Sequence, residues 1–291
     1  MRHDQAEGLR RLLDRSGLRV VSIRAGGTGG TGAIVNLAGA LAEQGSDVLI
    51  LDESPVAHGV TAALGLKARF DLDDVIRRRR DLDEVIVRGP AGILVLPLAR
   101  GARSLAQLPA AEQQWLVERC SRLGFPLDTL LVDAAPDKAS ALLWSGTAAD
   151  EVIVLGGGSA AAITAAYALI KRLSTEFARR EFHVLVSEVA SASEASMIFG
   201  NMARVARRYL QVSLDFMGHV PPDDKLRHAA QLRLPVVAAF PRAAASGSFR
   251  SLARAVSAWP RAEDDASGFD GFMRRLIHSS RMRHAAAQPS L

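Results

Sequence analysis

Apolar residues along this chain form short, unbroken runs that alternate with stretches of helical spacing. The runs are rich in leucine and β-branched residues and are apolar along their whole length. Strands buried on both faces of a parallel sheet show this pattern, because none of their positions faces water. The predicted strands are 19–24, 47–52, 93–97, 129–134, 151–155, 182–189 and 215–220.

Between these runs, apolar residues recur at intervals of three and four, the spacing of one helix face. The alternation predicts an α/β fold with a doubly wound, mostly parallel sheet. Ligands of such sheets bind at the carboxyl ends of the strands, so we expect the functional site there. The predicted helices are 32–44, 60–66, 71–79, 111–123, 138–146, 159–175, 192–209, 223–231 and 247–257.

The pattern also divides the chain into segments. Leucines at helical spacing precede the first strand, and Ser16-Gly17 ends that short helix. Near the other end, Pro260 and three acidic residues indicate a linker, and a separate helical pattern follows it. The predicted segments are an N-terminal partner-binding helix over 1–17, an α/β domain over 18–257, a linker over 258–267, and an amphipathic helix and tail over 268–291.

Composition restricts the compartment and the partners. No apolar run reaches the ~18 residues of a membrane span, and the charged N-terminus lacks a signal-peptide core. Cys120 is the single cysteine, so an internal disulfide is excluded, and we expect this side chain to be buried. These features indicate a cytoplasmic protein.

The net charge of +5, carried mostly by arginine, favours an anionic partner such as nucleic acid or a membrane surface. The densest cluster is Arg77-Arg78-Arg79-Arg80, which we interpret as a solvated helix end or loop. No helix-turn-helix, zinc finger or stacking platform is present in the sequence. DNA binding is therefore a minor hypothesis.

A glycine-rich loop joins the first predicted strand to the first helix after it. Strand, glycine loop and helix are the context of a phosphate-binding P-loop, in which backbone N–H groups and the helix dipole hold the anion. The usual loop carries a lysine for the β- and γ-phosphates and a hydroxyl for Mg²⁺. Here glycine replaces the lysine, and the hydroxyl is kept. The candidate residues are Gly26, Gly27, Gly29, Gly30 and Thr31.

Asp133 ends the apolar run Leu130-Leu131-Val132. A carboxylate placed in this way by a buried strand can reach Mg²⁺ directly or through water. Thr31 and Asp133 are therefore the predicted magnesium ligands. The alternative is that Asp133 caps the helix that follows.

The second strand ends in Leu51-Asp52-Glu53-Ser54. With the glycine loop, it resembles the MinD/ParA group of P-loop ATPases, which have Lys-Gly-Gly-x-Gly-Lys-Thr and Leu-Asp-x-Asp at these places. Within that group the chain most resembles the FlhG family, regulators of flagellar number and placement. The resemblance runs through Asp4-Gln5-Ala6-Glu7-Gly8-Leu9-Arg10, Gly65-Leu66, 83–90, 165–171, 203–210, Gly218-His219-Val220-Pro221 and 235–237.

The resemblance implies a MinD/ParA fold and adds Asp52 to the nucleotide-binding residues. Ala25 replaces the signature lysine that reaches the partner's phosphates in an ATP-bound dimer, and Gly30 replaces the P-loop lysine. Ser54 replaces the aspartate that positions the attacking water, and Ser187 replaces an adenine-contacting asparagine.

These replacements remove charge neutralisation, a dimer contact and water positioning together, so we expect hydrolysis to be absent or very weak. ATP or ADP with Mg²⁺ would at best be weakly held, and a homodimer is left open. Arg24 is next to the signature position, but neighbouring residues of a strand point to opposite faces, which argues against a substitution.

The N-terminal element matches the family's Asp-Gln-Ala-x-x-Leu-Arg pattern. In the FlhG family this element binds the signal-recognition-type GTPase FlhF and stimulates its GTP hydrolysis. The alternative is an amphipathic terminus packed on its own domain. The predicted partner-binding residues are Asp4, Gln5, Ala6, Leu9 and Arg10.

The C-terminal segment has an apolar stripe at helical spacing with arginines beside it, as in an interfacial amphipathic helix. The family places a membrane-targeting helix here, whereas the alternative is a final helix docked on the core. The predicted membrane-binding residues are Phe269, Phe272, Met273, Leu276, Ile277, Arg274 and Arg275.

The sequence thus predicts a regulator of the FlhG type with a degenerate Walker A loop, acting on an FlhF-type GTPase and peripherally at the inner membrane. Two alternatives stay open. One is a slow, nucleotide-switched ATPase of the MinD type, and the other is a DNA-associated partition-type protein.

Overall fold

A computed structural model describes residues 17–25, 29–54, 58–105, 107–134, 149, 151–260 and 268–287. The side chains of 103 and 281–287 are not included in that description. The N-terminal element, the predicted helix over 138–146, Gly26, Gly27 and most of the predicted linker lie outside the described residues.

The strands form one sheet with the order β3-β4-β2-β5-β1-β6-β7-β8. Every described pair is parallel except β3 with β4, which is antiparallel at the edge of the sheet. The sheet is therefore doubly wound about β1, as predicted. The strands are β1 (Arg19–Ala25), β2 (Val48–Asp52), β3 (Val87–Arg88), β4 (Leu94–Pro97), β5 (Thr129–Asp133), β6 (Glu151–Gly157), β7 (Glu181–Ser187) and β8 (Ser213–Val220).

The helices cover both faces of this sheet, and a short 3₁₀ turn lies at Pro90–Gly92. The described α-helices are α1 (Gly30–Glu43), α2 (Val60–Ala63), α3 (Leu72–Ile76), α4 (Leu82–Val85), α5 (Gly101–Leu105), α6 (Ala110–Cys120), α7 (Ala160–Glu176), α8 (Ala192–Leu210), α9 (Asp224–Gln231), α10 (Val236–Ala239), α11 (Ala244–Ala258) and α12 (Phe269–Ala287).

Residue alternation along the central strands separates two core layers. Val21 and Ile23 of β1 pack with the buried side chains of α1 and α11 on one face. Val20 of β1 packs on the opposite face, where α6 and α12 supply the apolar partners. The helices α7 and α8 continue that second layer over β6 to β8. None of the described helices is long and apolar enough to cross a membrane.

The fold class is confirmed, and each predicted strand is present within about two residues of its predicted bounds. The predictions missed β3, α4, α5 and α10, which are too short to show a periodic apolar pattern. Cys120 is buried, as expected, and burial raises the pKa of its thiol well above the ordinary value.

The arginine run is an exposed helix end, as interpreted from the sequence, and its side chains also contact neighbouring residues. Arg78 adopts a left-handed backbone conformation with φ 58°, and its guanidinium lies 4.9 Å from the centre of the Trp115 ring. Arg80 lies 4.5 Å from the Phe70 ring in the same way. Arg77 pairs with Asp73 at 2.7 Å. The four arginines are exposed, and these contacts also hold the turn after α3 against its neighbours.

The first residues of the predicted linker, 258–260, lie at the end of α11. Ala258 is still the last residue of α11, and the Trp259 ring stacks on His183 with a centroid distance of 4.3 Å. Arg19 donates hydrogen bonds to the carbonyls of Ser257 and Trp259 at 2.9 and 3.0 Å. These contacts anchor the chain at the end of α11 to the amino ends of the strands.

Candidate nucleotide site at the strand ends

The strand and the helix that flank the glycine loop are present where the sequence places them. β1 ends at Ala25, and α1 begins at Gly30 after Gly29, whose φ of 109° is a conformation that glycine tolerates best. A Cβ on Gly30 would lie 3.6 Å from the Cβ of Ala25, which is ordinary contact. The missing lysine is thus not excluded by crowding at its Cβ.

Thr31 and Asp133 come together as the magnesium prediction requires. The Thr31 hydroxyl donates to Asp133 Oδ2 at 3.0 Å, and Asp133 is buried at the end of β5. Burial and, after it, the charge of Asp52 raise the pKa of the Asp133 carboxyl to about 7, although Thr31 and Arg24 act in the opposite direction. The charged form of a buried carboxyl with a raised pKa is stabilised by a positive charge close to it.

The donor set fits a nucleotide-bound magnesium rather than an independent metal site. Among the described residues, no group of three His, Cys, Asp or Glu side chains could hold a metal ion. Mg²⁺ in nucleotide sites typically takes one or two carboxylates plus phosphates and water, which Thr31 and Asp133 could complement. The helix predicted over 138–146 lies outside the described residues, so the capping alternative stays open.

Asp52 contacts Thr61 at the start of α2, whereas Asp133 contacts Thr31 at the start of α1. Its carboxylate accepts hydrogen bonds from the Ser54 and Thr61 backbone N–H groups, at 3.1 and 2.8 Å, and from the Thr61 hydroxyl at 2.9 Å. Burial raises its pKa, and these hydrogen bonds oppose that change. Gly59 lies so close that an added Cβ would be 2.1 Å from Asp52 Oδ1. Asp52 therefore holds the start of α2, and its nucleotide contact stays a prediction.

Two further charged residues are buried at the same strand ends, and the sequence predictions assigned them no role there. Arg24 and Glu53 are each 6% exposed. The sequence feature that could have identified them is a charged residue at the end of an apolar run. Arg24 precedes Ala25, and Glu53 follows Asp52. We call Arg24, Asp52, Glu53 and Asp133 the strand-end cluster.

Arg24 lies on the face of the sheet opposite α1, because it alternates with Ile23, which packs under α1. Its Nε donates to Ser22 Oγ at 2.7 Å, so the side chain turns back along its own strand. This placement agrees with the expectation that Arg24 does not replace the signature lysine directly. Ser187 also bonds within the sheet, donating to the Gly156 carbonyl at 2.9 Å.

In this structure the C-terminal stripe is docked on the core. Its five apolar side chains were predicted to enter a membrane interface, but they are at most 5% exposed and pack in the layer that includes α6. Arg274 remains exposed and lies 3.9 Å from Asp270. In this conformation α12 is the docked final helix of the alternative interpretation, because the sheet needs an apolar cover on that face. The buried residues are Phe269, Phe272, Met273, Leu276 and Ile277.

Comparisons with known proteins agree with this geometry. The chain is 34% identical to the antiactivator FleN of Pseudomonas aeruginosa over 252 residues, covering 87% of this chain and 90% of that protein. MinD of Aquifex aeolicus shares the fold with a TM-score of 0.61 and 21% identity, covering 84% of this chain and 99% of that one. MinD of Pyrococcus horikoshii in complex with Mg-ADP gives 0.59 and 19%, with 82% and 96% covered.

No family model matches the sequence. The similarity to FleN nevertheless spans almost the whole of both proteins, and Thr31 and Asp133 lie in contact at the strand ends. The chain belongs to the FlhG (FleN) family of MinD/ParA-type P-loop ATPases.

Proposed function

We propose that this protein regulates flagellar number or placement, as an FlhG-type protein that acts through protein contacts rather than through rapid ATP turnover. The observation that carries the proposal is the 34% identity to FleN along 87% of the chain. The direct test is to delete the gene in its host and count flagella per cell by electron microscopy. An unchanged count and position in the deletion strain would contradict the proposal.

The nucleotide part of the proposal rests on what the site keeps and lacks. Thr31 and Asp133 lie in hydrogen-bond contact, which supports binding of Mg²⁺ with a nucleotide. Ala25, Gly30 and Ser54 lack the charges that phosphoryl transfer needs. We therefore expect weak ATP–Mg²⁺ binding and phosphate release close to background. Calorimetric titration and a turnover assay measure the two separately, and a rate near ~1 s⁻¹ would favour the alternative of a working ATPase.

The partner part of the proposal concerns Asp4, Gln5, Ala6, Leu9 and Arg10. A short helix of this kind is marginal alone and would order on its partner. An oriented amide is enough to position the attacking water in a GTPase, and Gln5 supplies one. The full chain should therefore stimulate GTP hydrolysis by an FlhF-type GTPase.

The matched test compares Gln5→Ala with Gln114→Ala, an exposed glutamine on α6. Gln5→Ala should lose the stimulation and keep most of the binding, whereas Gln114→Ala should behave like the parent protein. Leu9→Ala should lose both binding and stimulation. If the parent chain leaves the GTPase rate unchanged, the assignment of this partner fails.

Action at the inner membrane would require α12 to leave its place on the core. Release would expose apolar side chains at a cost of about 1.5–3 kcal/mol each, which a lipid interface could offset. We therefore propose a cytoplasmic protein that contacts the membrane only in a form with α12 released. Co-sedimentation with anionic liposomes tests this, and binding that survives deletion of residues 268–291 would exclude α12 as the contact.

A further inference from the structure

The strand-end cluster concentrates negative charge in the interior. Asp52 and Asp133 occupy opposite positions in the β2–β5 ladder, and the Glu53 N–H donates to the Asp133 carbonyl at 3.1 Å. All three acidic side chains are at most 6% exposed. Buried carboxylates are strongly unfavourable unless a cation or hydrogen bonds compensate them. A P-loop ATPase can supply that compensation through its lysine and a nucleotide-bound magnesium.

Arg24 provides a cation at the same place from within the chain. It lies on β1, which pairs with β5, and it shares the face of the sheet opposite α1 with Glu53, since Glu53 alternates with Asp52. Burial lowers the pKa of Arg24 to about 10, and the charges of Glu53 and then Asp133 oppose that change. The guanidinium thus remains protonated although it is removed from water.

We propose that Arg24 is an internal counter-cation that holds the ends of β1, β2 and β5 together without nucleotide or magnesium. It is a positioning residue, since it acts through Glu53 and Asp133 and not on a phosphate. Its hydrogen bond to Ser22 at 2.7 Å fixes the guanidinium along β1. The proposal builds on the proposed function in one respect, the loss of the P-loop lysine.

As a consequence, the conformation of the strand ends would not depend on a bound nucleotide. In a nucleotide switch, the ligand supplies the charge that closes the site, so the conformation changes when the ligand leaves. A protein that carries the counter-cation in its own sequence does not need that ligand to order the strand ends. Its partner-binding state would then be independent of ATP.

Urea unfolding of the full chain tests the role of Arg24. Arg24→Gln removes the charge and should lower the folding equilibrium constant by about a hundredfold or more, because carboxylates are left buried without it. Arg24→Lys keeps a cation and should lose at most about tenfold. Arg204→Gln, on the exposed face of α8, is the matched control and should be neutral. Equal stability of Arg24→Gln and the control would overturn the proposal.

A double-mutant cycle separates a charge effect from lost packing. Glu53→Gln should be much less destabilising in the Arg24→Gln protein than in the parent, with a coupling of at least about tenfold in the equilibrium constant. If Arg24→Gln does not fold, the double variant should recover folding. Additive effects, or no recovery, would show that Arg24 does not act through Glu53.

A magnesium measurement completes the test. The unfolding midpoint of the parent protein should be the same in magnesium chloride and in EDTA, because the cation is already present as Arg24. A clear rise with magnesium alone would overturn the proposal. These readouts involve neither flagella nor FlhF, so the proposed function could fail while Arg24 keeps this role, and the reverse also holds.

Discussion

The apolar face of α12 and the strand-end cluster are both buried against the same sheet. They are nevertheless stabilised by opposite means. Beneath α12, Phe272 and Leu276 are fully buried among apolar side chains. At the strand ends, Asp52 and Asp133 are almost as deeply buried but depend on hydrogen bonds and on neighbouring charges. The apolar contact has no place for a charge, whereas the strand-end cluster is built from charged side chains that must be compensated.

The largest expected effect is that of a charge beneath α12. Phe272→Glu replaces a fully buried ring and should destabilise the fold by about 4 kcal/mol or more, since it removes apolar contacts and buries a carboxylate. His278→Glu places the same charge on the exposed side of α12 and should have little effect. Urea unfolding compares the two variants. If Phe272→Glu is as stable as the control and only loses liposome binding, α12 is a membrane helix after all.

A smaller effect is expected where Gly59 approaches Asp52. Gly59→Ala puts a methyl group 2.1 Å from Asp52 Oδ1, so the carboxylate must move and give up hydrogen bonds to Thr61. We expect a loss of about 3 kcal/mol in the free energy of unfolding. Gly32→Ala, with open space around its Cβ, is the matched control and should be neutral or slightly stabilising. Equal stabilities would mean that Asp52 does not hold the start of α2.

The pH dependence of Asp133 should be smaller again. Its folded pKa of about 7 lies above the ordinary value, so the folded state binds the proton more tightly than the unfolded chain. The stability from this group is therefore present at low pH and is lost as the pH rises towards about 7. Asp133→Asn removes that loss and should be about 2 kcal/mol more stable than the parent at about pH 8. Urea midpoints across pH check this, and a parent that gains stability relative to the variant as the pH rises would contradict it.

The sequence predicted the sheet well because its strands are buried on both faces and carry an uninterrupted apolar pattern. It left two interpretations of α12, because an apolar stripe flanked by arginines, here Phe272 and Leu276 beside Arg274, suits either a lipid interface or the back of a sheet. It placed both Asp52 and Asp133 at the nucleotide, Asp133 as a magnesium ligand at the end of an apolar strand and Asp52 through the family resemblance. Only the tertiary contacts separate them, because Thr31 reaches one and Thr61 reaches the other.

The smallest expected effect on stability is that of restoring the P-loop lysine. Gly30→Lys adds a Cβ at an ordinary 3.6 Å from Ala25 and replaces a glycine at the start of α1, so the fold should be unchanged or slightly more stable. The variant should bind ATP–Mg²⁺ more tightly by calorimetry, since a lysine supplies charge to the phosphates. Turnover should rise much less, because Ser54 still cannot position the attacking water. A Gly30→Lys protein that gained hydrolysis in proportion to binding would show that the lysine alone was missing. The strand ends would then be a working catalytic site rather than a fixed structural one.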